Sequence, residues 1–235
     1  MIEFKYGNHN IKINCDQHEY LFKYITKHKN FFEETYLRFL KDIINDESVV
    51  VDVGAHIGNH TIYFSKVLEA KKVISIEPTR RSYEVLCDNI ELNDLRNVTT
   101  YRVAAGSSSG IGKCCVRKSS NSGANSWGIS VEEVGNEGEV SVVLLDDIIK
   151  EKVDFIKIDV ETFEIDVLKG AFNIIKEYSP DIMIEVSRNN LNVFEKMMNE
   201  FNYIYTGAKV FEKNTKAKAS SLLIVSSEKE ISKKN

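Results

Sequence analysis

From residue 48 onward, short runs that are apolar almost throughout alternate with longer segments whose apolar positions recur at helical spacing. The runs predict strands over Ser48 to Val53, Lys72 to Glu77, Val98 to Ala104, Val153 to Val160 and Asp181 to Val186, with two last strands near Tyr203 to Phe211 and Ser221 to Ser226. The 3.6-residue period predicts helices over His60 to Glu69, Arg80 to Leu92, Phe163 to Tyr178 and Leu191 to Phe201. Strands that are apolar on both faces, with helices between them, form a parallel sheet covered on both sides. The expected fold class is α/β.

Upstream, Phe31, Phe32, Tyr36, Phe39, Leu40, Ile43 and Ile44 also fall at helical spacing, which predicts an N-terminal helical cap over 1–46 ahead of a main domain over 47–226. Between about 106 and 138 the texture changes to Gly, Ser and Asn, flanked by β-prone pieces at Lys113 to Arg117 and Glu139 to Leu145. An insertion containing a hairpin is expected there, and inserted loops of this length are often functional. The charged stretch 227–235 is expected to be a frayed tail.

Composition narrows the picture. At 235 residues, 43% hydrophobic and 28% charged, the chain sits in the range of soluble globular proteins with one sizeable core. The net charge is -4 and the basic clusters are short and interrupted, so no nucleic-acid partner is expected. Cys15, Cys87, Cys114 and Cys115 form no Cys-x-x-Cys pair, and reduced structural thiols in a cytoplasmic setting are the expectation. No leader pattern opens the sequence, and no apolar run approaches the roughly 18 residues that span a bilayer, so no membrane partner is expected.

Candidate chemistry begins at Val51-Asp-Val-Gly-Ala-His-Ile-Gly-Asn-His-Thr61, a strand followed by a glycine-bearing turn that opens a helix. Gly54 and Gly58 permit a sharp bend and a close ligand approach. Asp52 precedes the turn, and Glu77 ends the next strand, where nucleotide-binding folds hydrogen-bond a ribose diol. A carboxylate beside the loop repels a pyrophosphate and attracts an ammonium or sulfonium, which favours S-adenosylmethionine over NAD. A second run, Asp154-Phe-Ile-Lys-Ile-Asp-Val-Glu-Thr-Phe-Glu164, is a buried strand ending in acids. Asp159 and Glu161 are expected in the same crevice, one of them as general base, while Glu164 is expected to complement a helix N-terminus.

Together these residues resemble the FkbM family of methyltransferases. The resemblance rests on the Asp52 to Thr61 turn, Ile76-Glu-Pro78 with Leu86, Asn89, Leu92 and Asn93, Leu145-Asp-Asp-Ile148, and Phe155 to Glu161 with Phe163, Glu164, Leu168, Gly170 and Ala171. It runs from about Val49 to about Tyr205. It implies a Rossmann-like class I methyltransferase fold, with a mostly parallel seven-stranded sheet and helices on both faces. It also implies S-adenosylmethionine as cofactor and O-methylation of sugars, polyketides or related metabolites. By matching positions, Asp52, Gly54, Ala55, His56, Gly58, Asn59 and Thr61 would shape the cofactor pocket, Glu77 and Pro78 would hold the ribose, and Ala104 would lie near the adenine. Thr162 stands where the family usually has glycine, a departure that bears on the turn after that strand and on the acceptor pocket.

Weaker candidates remain. His56 and His60 are expected as loop or helix-surface residues, Trp127 as hairpin packing or a lid that stacks on a sugar, and Asp146 with Asp147 as the start of a short helix. Glu185 and Asn189 offer oxygen ligands that with Asp159 suit magnesium, rated below a metal-free mechanism. The expected function is S-adenosylmethionine-dependent O-methylation of a small-molecule or glycan acceptor. An RNA methyltransferase and a non-catalytic S-adenosylmethionine-binding module are the alternatives, an NAD oxidoreductase is disfavoured by Asp52, and the oligomeric state, a homo-oligomer included, is left open.

Overall fold

The computed structural model describes residues 1–117, 126–129, 139–205 and 220–227. The chain begins with a hairpin, β1 (Ile2–Tyr6) and β2 (His9–Ile13), followed by α1 (Tyr20–His28), α2 (Glu34–Leu37) and a 3-10 turn over Arg38–Asp42. Then come β3 (Val49–Val53), α3 (Asn59–Ile62) continuing as a π-helical turn over Tyr63–Val67, β4 (Lys72–Ile76), α4 (Arg80–Leu92), β5 (Val98–Tyr101) and β6 (Ala104–Ala105). Next are β7 (Gly110–Arg117), β8 (Ser126–Ile129), β9 (Glu139–Val143), α5 (Leu145–Ile148), β10 (Phe155–Ile158), α6 (Glu164–Gly170), α7 (Phe172–Tyr178), β11 (Asp181–Ser187), α8 (Leu191–Glu200), β12 (Tyr203–Tyr205) and β13 (Ser220–Ser227).

The central sheet has seven strands in the order β12-β13-β11-β10-β3-β4-β5. β11, β10, β3, β4 and β5 run parallel, and β13 is antiparallel to both neighbours. This is the α/β architecture expected. A smaller sheet, ordered β6-β9-β7-β8, contains the expected insertion hairpin, since β7 pairs antiparallel with β9 and β8. Trp127 pairs with Val116 in backbone register, and its side chain lies outside the described residues.

Side-chain alternation in the parallel strands builds two cores. Val49, Val51 and Val53 of β3, Ile74 and Ile76 of β4, and Ile156 and Ile158 of β10 face α6, α7 and α8. Val50, Val73 and Phe155 face the opposite way, into a core shared with α3 and the N-terminal segment through Ile11, Ile13, Phe31, Tyr63 and Phe64. Period two therefore puts Asp52, Ser75 and Lys157 on this second face, in adjacent register across three strands.

Three local expectations change. The N-terminal piece is a hairpin before it is helical, because Ile2, Phe4, Ile11 and Ile13 alternate around Gly7, which sits at φ 56°. Its edge docks on α4 through two asparagines one turn apart. Asn89 donates to the Asn14 carbonyl at 2.9 Å and Asn93 to that of Lys12 at 2.6 Å, and each side-chain carbonyl accepts the matching backbone N–H. The single helix expected over Phe163 to Tyr178 is two, because a Cβ on Gly170 would lie 2.0 Å from the Gly106 carbonyl oxygen, so backbone packs on backbone at the break. The expected strand from Val98 to Ala104 divides into β5 and β6, which join different sheets.

Candidate active site

The strand ends carry a cavity of about 310 Å³. Its walls come from two sources. The carboxyl ends of β3, β4 and β10 supply Gly54, Ala55, His56, Glu77, Lys157 and Asp159, and the N-terminal segment supplies Glu19, Tyr20, Phe32 and Glu33.

On the sheet side, the chain must turn sharply after Val53. Gly54 adopts φ 76°, and a Cβ there would sit 1.9 Å from the carbonyl oxygen of Asp159. Only glycine fits that approach. Its N–H and that of Ala55 both donate to the Ile76 carbonyl, which ties the turn to the end of β4. Glu77 completes the tie: one carboxylate oxygen accepts the His56 N–H at 2.9 Å, and the other accepts the N–H of Thr79 at 2.9 Å and its hydroxyl at 2.6 Å. Its carboxylate is thus fixed at the cavity wall while only 5% exposed.

Beneath the turn lies a buried charge network centred on Lys157, a residue outside the expected site. Lys157 Nζ is 3.1 Å from Asp52 Oδ1 and 3.7 Å from Asp159 Oδ2, and it donates to the Gly54 carbonyl at 2.8 Å. The remaining Asp52 oxygen accepts the Thr61 hydroxyl at 2.7 Å, and Thr61 in turn meets Ser75 at 2.9 Å. Burial pulls the Lys157 pKa down, but the attraction of Asp52 and then Asp159 outweighs it and holds the ammonium above the ordinary lysine value. Lys157 was legible in principle, since a lysine between Ile156 and Ile158 in an otherwise apolar strand must find a carboxylate.

This network corrects one expectation. Asp52 is fully buried, faces Lys157 and Thr61, and does not line the cavity, so the charge argument built on it fails. Thr61, Gly58 and Ala104 are also absent from the wall. Thr61 orients Asp52. Gly58, at φ 88°, lets the turn pass 2.7 Å from Leu86 of α4 as measured from an added Cβ. Ala105, next to Ala104, faces the cavity instead. Gly54, Ala55, His56, Asn59, Glu77, Pro78, Asp159 and Glu161 do line it, so Asp159 and Glu161 share the crevice with Glu77.

Glu161 and Thr162 follow β10 in a left-handed turn, with φ 46° and 80°. Such an angle is strained for a β-branched residue, which explains why glycine suits the Thr162 position. The turn is held from below by buried Glu164, which accepts the Thr162 N–H at 2.8 Å, and by Asn190, which donates to the Thr162 carbonyl and to Glu164. Glu164 therefore serves the turn at the start of α6, away from the cavity. Asp146 accepts the N–H groups of Asn173 and Ile174 and so caps α7 from within α5.

The other wall hangs on Asn59. Its amide and carbonyl clamp the backbone of Phe32, accepting from the N–H at 3.0 Å and donating to the carbonyl at 3.2 Å. Next to the clamp, Glu33 lies 3.4 Å from His60 Nε2, with their side chains 19% and 9% exposed. His60 thus belongs to the wall rather than to a helix surface. Glu185 lines the cavity and Asn189 does not, and among the described residues no three His, Cys, Asp or Glu side chains gather in a metal-holding group. No helix among them is long and apolar enough to cross a membrane.

Over residues 52–205 the chain matches the family model described as Methyltransferase FkbM domain. It is similar to methyltransferase sdnD of Sordaria araneosa, with 26% identity over 194 residues covering 66% of this chain and 73% of that protein. A segment of 56 residues is 46% identical to the tRNA(Phe) (4-demethylwyosine(37)-C(7)) aminocarboxypropyltransferase of Methanocaldococcus jannaschii, covering 24% of this chain and 22% of that protein. The chain thus spans only about a fifth of that relative. A solved methyltransferase FkbM from Methylobacillus flagellatus KT superposes with a TM-score of 0.59 at 22% identity, over 77% of this chain and 44% of that one, a likeness of fold.

Proposed function

We propose that this chain, which belongs to the FkbM methyltransferase family, uses S-adenosylmethionine to methylate a hydroxyl of a sugar, glycan or other small metabolite. The observation that carries the reading is the charge of the cavity wall. Among the described residues its sheet side holds four carboxylates, Glu77, Asp159, Glu161 and Glu185, and one lysine, Lys157, already committed to Asp52 and Asp159. Such a wall attracts a ligand with ammonium and sulfonium groups and repels a pyrophosphate. The residues present therefore fit S-adenosylmethionine, on an argument that no longer needs Asp52.

When bound, S-adenosylmethionine supplies an electrophilic methyl group on a sulfonium. Glu77, pinned by three donors, is placed to accept hydrogen bonds from a ribose diol. The left-handed turn at Glu161 and Thr162 and the Lys157 contact hold Glu161 and Asp159 at the rim of β10. There either carboxylate can take the proton of an acceptor hydroxyl as its oxygen becomes the nucleophile.

The test is release of S-adenosylhomocysteine with a panel of sugar and polyol acceptors for wild type, Asp159→Asn and Glu161→Gln. The reading expects turnover to fall by about 10²-fold or more in one of the two variants while donor affinity stays within a few-fold. Full turnover in both variants would remove the carboxylates from the proton-transfer role.

A further inference from the structure

The two walls of the cavity differ in how their charges are compensated. On the sheet side, Lys157 and backbone N–H groups meet the carboxylates of Asp159 and Glu77. On the N-terminal side, Glu19 and Glu33 line the same space, and among the described residues neither forms an ion pair with a lysine or arginine. Among the described residues, Glu19 accepts a weak contact from the Cys15 thiol at 3.5 Å. Glu33, with its side chain 19% exposed, has the His60 ring at 3.4 Å, and His60 Nε2 is itself buried without a hydrogen bond in that geometry. Glu33 is largely withdrawn from water and Glu19 partly so, and with no lysine or arginine at ion-pair distance among the described residues they favour a ligand that brings a positive charge.

The rings around them match the same kind of ligand. Tyr20 and Phe32 line the cavity beside the two acids, edge to face with centroids 6.0 Å apart, and Tyr24 backs Phe32 at 5.2 Å. Aromatic faces next to carboxylates bind ammonium groups, through the ring quadrupole and through charge pairing. The Asn59 clamp on the Phe32 backbone fixes this arrangement relative to the strand ends.

We propose that the acceptor carries a protonated amine in addition to the hydroxyl that is methylated, an amino sugar or aminocyclitol in chemical class, and that Glu33 and Glu19 with the Tyr20 and Phe32 rings hold that amine. The proposal rests on the methyltransferase reading, because it assigns the sheet-side wall to the methyl donor and the N-terminal wall to the acceptor. Specificity then resides in a segment that lies outside the matched family domain at 52–205.

The experiment is calorimetric titration of the full chain, saturated with S-adenosylhomocysteine, with matched probes: glucosamine against glucose, and 2-deoxystreptamine against inositol. The amine member of at least one pair is expected to bind tenfold or more tightly than its neutral partner. Glu33→Gln or Glu19→Gln should abolish that preference while leaving the affinity of the neutral partner within about twofold. Equal binding within both pairs, absence of binding by both amines, or a preference that survives both glutamine variants overturns the proposal. Failure of the protein to take up S-adenosylhomocysteine in the first place would instead overturn the methyltransferase reading beneath it.

Discussion

The sheet-side wall of the cavity and the N-terminal wall are built on opposite principles. At the strand ends, the buried charges are saturated with fixed partners: Lys157 meets two carboxylates and a carbonyl, Asp52 meets Lys157 and Thr61, and Glu77 takes three donors. In the N-terminal wall, Asn59 clamps the backbone of Phe32 and Asn89 and Asn93 clamp that of Asn14 and Lys12, while Glu19 and Glu33 have no lysine or arginine at ion-pair distance among the described residues. A saturated wall is preorganised and intolerant of change. A clamped wall can exchange its side chains without disturbing the sheet, which is where acceptor specificity can vary.

If that contrast is right, the largest effect comes from removing Lys157. Lys157→Met leaves Asp52 buried without its cation and should cost about 3 to 5 kcal/mol, measured by urea unfolding. A loss below about 1 kcal/mol would mean that the network is not the keystone of the sheet-side wall. The pH dependence follows with a definite sign. The folded pKa of Lys157 lies above the ordinary lysine value, so its stabilisation is complete below that value and fades as pH rises through the folded pKa. Wild type should therefore lose stability at alkaline pH more steeply than Lys157→Met.

Gly54→Ala comes next. It drives a Cβ into the Asp159 carbonyl and should cost about 3 kcal/mol along with donor binding, whereas retained affinity would show that the turn can relax.

Asn59→Ala probes the other wall. Loss of both contacts to Phe32 should cost about 1 to 2 kcal/mol and raise the acceptor KM with donor affinity almost unchanged. Equal loss of donor affinity would merge the two walls into one site.

The smallest effect has the opposite sign. Thr162→Gly relieves a φ of 80° and should stabilise by about 1 kcal/mol, read as a rise in Tm.

The same division explains what could be read in advance. The parallel strands announce themselves because burial on both faces forces continuous apolar runs, and the glycine turn because only glycine tolerates the approach of Gly54 to Asp159. Glu77, Asp159 and Glu161 were legible because an acid that ends a core strand has nowhere else to point. Asp52 misled because its sequence position is the same whether it faces a ligand or a lysine, and its partner lies on β10, more than a hundred residues away, through register alone. The hairpin over 2–13 is written in the alternation of Ile2, Phe4, Ile11 and Ile13, a signal shorter than the helical spacing that follows it. The contribution of Glu19, Tyr20, Phe32 and Glu33 was not legible, because it depends on where the N-terminal segment docks. That docking is decided by side-chain amides gripping backbone, which leave no periodic trace.

The central claim is that the saturated strand-end wall holds S-adenosylmethionine. It is tested most directly by calorimetric titration of the full chain with S-adenosylmethionine and, separately, with NAD, using Glu77→Ala as control. The account predicts micromolar or tighter binding of the methyl donor, lost in the variant, and none of NAD. Binding of NAD in preference, or methyl-donor affinity unchanged in Glu77→Ala, would contradict it.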